Sequence, residues 1–74
     1  MKAGEFIKEA RLKKNLTQKE VGKACGYDER WGEIYVSGWE RGIRSIPIGC
    51  AIPLSELLGI PLDQLIKVIA EGKK

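Results

Sequence analysis

The side chains in this sequence that can do chemistry are suited to holding a polyanion rather than to breaking bonds. There is no histidine to serve as a general base. Neither Cys25 nor Cys50 has an evident activating neighbour, and no glycine-rich loop carries the Lys-Ser/Thr of a phosphate cradle. Without histidine, the two cysteines also lack the usual partners of a zinc site. We read both as small buried apolar residues in a reducing compartment. These residues point away from an enzyme and imply no metal, no cofactor and no small-molecule ligand. What remains is the run Thr17-Gln18-Lys19-Glu20-Val21-Gly22-Lys23-Ala24-Cys25-Gly26, followed by Val36-Ser37-Gly38-Trp39-Glu40-Arg41-Gly42. It reads as a helix, a turn and a second helix. Two short crossed helices are the device by which many compact proteins push one helix into the DNA major groove.

The elements that must position this device form one small domain over residues 1–74, with the helix-turn-helix at about 17–41 and the C-terminal helices at about 49–71. Seventy-four residues lie near the lower limit for a core without staples. An apolar content of 43% with 31% charge describes an ordinary globule rather than a disordered chain. No apolar run is long enough for a transmembrane helix, and Met1 to Glu9 has no apolar core of a signal peptide, so we expect a cytoplasmic protein with no membrane association. The net charge of +3 is unevenly spread: residues 1–31 hold eight Lys/Arg against five Asp/Glu, whereas residues 47–66 hold none, only Glu56 and Asp63. The basic half suits a polyanion, and the apolar half suits a core or a second subunit.

Ala3 to Lys14 is predicted as the first helix, with Ile7, Ala10 and Phe6 on its inner side and Asn15 as a left-handed stop. Leu16 pins the following turn. Thr17-x-x-Glu20 is a capping box, so a second helix starts near Gln18 and ends at Gly26, with Val21, Ala24 and Cys25 inward. Gly22 costs that helix roughly 1 kcal/mol, which a close helix crossing would explain. Tyr27 to Trp31 reads as a polar loop and Glu33 to Arg41 as the third helix, with Val36 and Trp39 inward and Gly42 as its cap. Asp28 could instead start that helix one turn earlier. Ile43 to Ile48 is a linker, extended where Ile46 precedes Pro47. A fourth helix is predicted over Gly49 to Leu58 with Pro53 in its first turn, and a fifth over Pro61 to Glu71 with Leu62, Leu65, Ile66 and Ile69 as its stripe. Five short helices without a strand pattern make an all-α fold.

Taken in order, Arg11, Leu16-Thr17-Gln18, Val21-Gly22, Gly26, Val36-Ser37, Trp39-Glu40-Arg41-Gly42, Pro47, Leu57-Leu58-Gly59-Ile60 and Leu62-Asp63-Gln64-Leu65 resemble the Cro and phage-repressor type of helix-turn-helix regulators, the xenobiotic response element family. The resemblance runs over roughly residues 4–66. It implies a five-helix, lambda-repressor-like domain that binds double-stranded DNA as a homodimer. It implies that Gln18 touches a phosphate or base edge, that the amides beginning the second helix face a phosphate, that Arg11 pairs with Glu40, and that Arg41 meets the DNA backbone. Glu33, Ile34, Tyr35, Ser37 and Gly38 take the outward positions of the recognition helix. Two departures stand out. The stretch between Gly26 and Val36 is about four residues longer than usual for the motif, which lengthens the turn and brings Arg30 toward DNA. Gly38 stands where many members carry a long polar side chain.

Several of these residues have a plainer reading beside the DNA one. Gln18 is otherwise an ordinary surface glutamine on a first turn. Glu33 either accepts from a cytosine amino group or favours the start of a helix. Ile34 either meets a thymine methyl or is a stray surface residue. Tyr35 either faces DNA or packs on Trp31, and Trp39 belongs to the core. Thr17, Lys19 and Arg44 join the expected contact set, as phosphate neutralisation supplies most non-specific affinity. Ile60, Leu62 and Ile66 are the expected dimer interface. The function these expectations add up to is a repressor on a palindromic operator. An antitoxin or restriction-modification controller acting on its own operon fits the same residues, as does an interaction module that has lost DNA binding.

Overall fold

The computed structural model describes residues 3–71, and several of the chain's changes of direction have a local cause. Within that span lie five α-helices, one short 3-10 turn and no strand. Helix α1 covers Ala3–Lys13 and stops at Asn15, which adopts a left-handed φ of 56°. Helix α2 covers Gln18–Ala24. Its capping box is complete: the Thr17 hydroxyl accepts from the Glu20 N–H at 3.1 Å, and the Glu20 carboxylate accepts from the Thr17 N–H at 2.9 Å. The Thr17 N–H first, and its hydroxyl second, hold the Glu20 carboxyl below its ordinary range. Helix α3 covers Glu29–Glu40 and is followed by Gly42 at φ 77°. A 3-10 turn at Ile48–Cys50 leads into α4, Ala51–Leu58, and α5 covers Leu62–Glu71. Met1, Lys2 and residues 72–74 of the expected domain lie outside the described residues.

The core is filled by Ile7 of α1, Val21 of α2, Val36 and Trp39 of α3, Leu54 and Leu58 of α4, and Leu65 and Ile69 of α5. Ile46 seats the linker on that core. Two glycine contacts set the helix crossings. A Cβ on Gly22 would fall inside the backbone of Gly32, and one on Gly32 would lie 3.1 Å from the Gly22 Cα. The α2 and α3 backbones therefore touch, which explains a glycine inside each helix. Gly4 plays the same part where α1 meets the end of α3, since a Cβ there would strike the carbonyl oxygen of Trp39.

The structure corrects several expectations. The third helix begins at Glu29, the earlier of the two starts left open by the sequence, rather than at Glu33: Asp28 caps it, its side chain accepting from the Trp31 N–H at 2.9 Å. Residues 29–32 are helix rather than loop, so the additional residues lengthen the helix and leave a short turn. Ala24 is exposed, not inward. The fourth helix starts with the 3-10 turn, and α5 begins at Leu62, just after Pro61. On α5 the buried stripe is Leu65 and Ile69, whereas Leu62 and Ile66 are 38% and 40% exposed. Ile60, expected at a subunit surface, is only 8% exposed and packs in the core, with the Ser55 hydroxyl donating to its carbonyl at 2.5 Å. Cys50 is buried but Cys25 only half so; both are free thiols. Burial, with Cys50 beside it, pushes the Cys25 thiol up to about 12, so it is protonated at neutral pH.

Candidate nucleic-acid interface

The exposed face of α3 carries the residues that can meet DNA. Positions three and four apart share a helix face, which aligns Arg30, Ile34, Ser37, Gly38 and Arg41. A shallow groove of about 410 Å³ runs along this face, lined by Gln18, Glu33, Ile34, Ser37, Gly38, Arg41, Ile43 and Arg44. Arg30 lies one turn before Ile34 on the same face but does not line the groove. Thr17 and Lys19 are exposed at the start of α2; Lys19 Nζ stands 3.8 Å from the Glu29 carboxylate, a contact between two well-solvated groups. The groove thus mixes two guanidiniums, one carboxylate, polar groups and the apolar side chains of Ile34 and Ile43, a set able to donate to, accept from and pack against base edges.

A buried ion pair ties α3, which forms most of the groove, to α1. Arg11 reaches from α1 to Glu40 at the end of α3 through both arms of its fork, Nε to Oε2 at 2.7 Å and Nη2 to Oε1 at 3.1 Å. The two side chains are only 10% and 4% exposed. Arg11 Nη1 also donates to the Leu16 carbonyl at 2.8 Å, tying down the turn before α2. Gln18 joins this network by donating from Nε2 to Glu40 Oε1 at 3.0 Å. Since a carboxylate only accepts, this fixes the amide orientation of Gln18 and leaves its carbonyl oxygen and one N–H for an outside partner. The expected Arg11–Glu40 pair is therefore present, while the Gln18–Glu40 bond is an addition. It is a contact between residues 22 apart in sequence, and helical periodicity gives no sign of it.

Tyr35 does not line the groove. It is half-buried and stacked on Tyr27, with ring centroids 4.6 Å apart, and it lies at a tilt 6.5 Å from Trp31. The packing partner is therefore Tyr27 more than Trp31. Arg44 lies over the Tyr35 ring, its guanidinium carbon 5.2 Å from the centroid. Trp39, as expected, is core. Among the described residues, no group of three His, Cys, Asp or Glu could hold a metal ion, and no helix is long and apolar enough to cross a membrane.

Residues 7–65, from α1 to the first turn of α5, match the family model described as helix-turn-helix. No curated protein and no solved structure matches the chain.

Proposed function

The chain belongs to the helix-turn-helix family of Cro and phage-repressor type, a family of DNA-binding transcription regulators, and we infer that it represses transcription by occupying a roughly palindromic operator as a homodimer. The observation that carries the reading is the groove on α3, where Gln18, Ile34, Ser37 and Arg41 face outward together. In this reading α3 enters the major groove and the start of α2 rests on the DNA backbone. Thr17, Lys19, Arg30, Arg41 and Arg44 neutralise phosphates or reach base edges, and Glu33 restricts which bases are accepted. The work is cytoplasmic.

The homodimer is supported by apolar surface at the C-terminal end. Leu62 and Ile66 are exposed on α5, and they lie in the part of the chain without basic residues. Covering them with a second copy is the commonest solution for such a patch, and two-fold pairing presents two copies of α3 to one side of a duplex. Half-sites would then lie about one helical turn, roughly 34 Å, apart. Sedimentation of the protein with a duplex selected from a random pool tests this. Two chains per duplex on a site with two-fold symmetry are expected. One chain per duplex at saturation, on a site long enough for two, contradicts the dimer.

A further inference from the structure

We propose that Arg44, from the loop after α3, reads a guanine in the major groove by occupying the place that Gly38 leaves without a side chain. This rests on the DNA-binding reading above and adds to it a specific base and a specific reader.

Gly38 is the one position among 34, 37, 38 and 41 with no side chain, yet it is buried. Arg44 is what covers it. After Gly42 the chain folds back on the last turn of α3, and the N–H groups of Ile43 and Arg44 both donate to the Gly38 carbonyl, at 2.9 and 3.2 Å. The Arg44 stem then crosses the helix surface. A Cβ on Gly38 would stand 2.9 Å from the Arg44 Cδ and 3.1 Å from its Cγ. Beyond the stem, the guanidinium lies over Tyr35, which is itself stacked on Tyr27. Tyr27 in turn packs on the core. Arg44 also lines the groove, so a loop side chain borders the recognition face while its guanidinium rests on Tyr35.

The chemistry selects the ligand. Among the described residues the ion pairs are Arg11–Glu40 and Lys19–Glu29, and Arg44 takes part in neither. Its five donors are therefore not committed to a carboxylate. A planar fork fits the O6 and N7 acceptors of guanine bidentately, the pairing that arginine makes best in the major groove. Arginine ordinarily loses considerable rotamer freedom on ordering; here the Gly38 surface and the Tyr35 ring meet part of that cost before DNA arrives. A residue that only neutralised phosphate would need neither a cleared helix surface nor a ring beneath it.

The test begins with duplexes selected from a random pool by the unaltered protein. Affinities are then measured for the selected duplex and for versions with each guanine replaced by adenine or 7-deazaguanine, which lacks the N7 acceptor. The same series is run with Arg44→Ala, Arg44→Lys and Gly38→Ala. Arg44 is exposed, so its variants should fold. One guanine per half-site should emerge whose replacement weakens the unaltered protein by roughly 5- to 150-fold and Arg44→Ala by less than about twofold. Arg44→Lys should keep affinity for random duplex and lose most of that preference. Gly38→Ala should lose it with the arginine still present, because the added methyl displaces the stem. Equal weakening of every duplex by Arg44→Ala, with all guanine preferences intact, would make Arg44 a phosphate contact and overturn the proposal. If the unaltered protein shows no salt-sensitive binding to any duplex in the pool, the DNA-binding reading falls first, before any variant is compared.

Discussion

Arg11 and Glu40 show how a few polar atoms govern this small protein. Moving two charges out of water costs several kcal/mol each, and the attraction between them offsets this only when geometry is good and the remaining donors and acceptors are filled. Both conditions hold here: the contact is two-pronged, the third arm of Arg11 donates to the Leu16 carbonyl, and Gln18 donates to Glu40. Removing one partner strands the other. Arg11→Ala and Glu40→Ala should each cost about 3 kcal/mol in urea unfolding, against less than about 0.5 for Lys13→Ala at an exposed site. A double-mutant cycle should give a coupling of about 1 to 3 kcal/mol. A coupling near zero would mean that the pair does not hold α1 to α3. Glu40→Ala should also free Gln18, which then loses its fixed presentation to DNA.

At the scale of elements, the crossing of α2 and α3 is set by two glycines in backbone contact. Gly22→Ala gains roughly 1 kcal/mol of helix propensity but must push the α3 backbone away. The net expected effect is a loss of about 1 to 3 kcal/mol, the usual cost of overpacking, together with weaker DNA binding because Gln18 shifts against α3. Gly49→Ala is the control, since a Cβ there meets nothing within 4 Å and stability should hold. Unchanged stability in Gly22→Ala would show that the crossing yields freely. Helix ends with short-range causes are legible in the sequence: the Thr17–Glu20 box, Asn15 and Gly42 all act within a few residues of themselves. The start of α3 is less so. Asp28 is a good cap, but Gly32 four residues on weakens a helix locally; only the contact with Gly22, ten residues away, makes it an asset. Ala24 and Ile66 follow the helical period yet face outward, because the period marks a stripe and neighbouring helices decide how wide a stripe is covered.

Across the whole molecule, basic residues and core residues are unevenly spread along the chain. The basic first half supplies α2 and the start of α3, and the C-terminal half supplies most of the core along with the exposed Leu62 and Ile66. The sequence showed this division and most of the groove lining: Gln18, Glu33, Ile34, Ser37, Gly38, Arg41 and Arg44 were all candidates and all line it. It did not show that Tyr35 turns away to stack on Tyr27, nor that Arg44 covers Gly38. The first depends on how the turn between α2 and α3 places Tyr27, the second on the path of the chain after Gly42, and no periodicity encodes either. The central claim is that the groove face of α3 is what meets the duplex. An amide-resolved NMR titration of the full chain with selected duplex tests it most directly. The largest shifts should fall on Gln18, Ile34, Ser37, Gly38, Arg41 and Arg44. Saturation of the duplex with those amides unmoved would contradict the account.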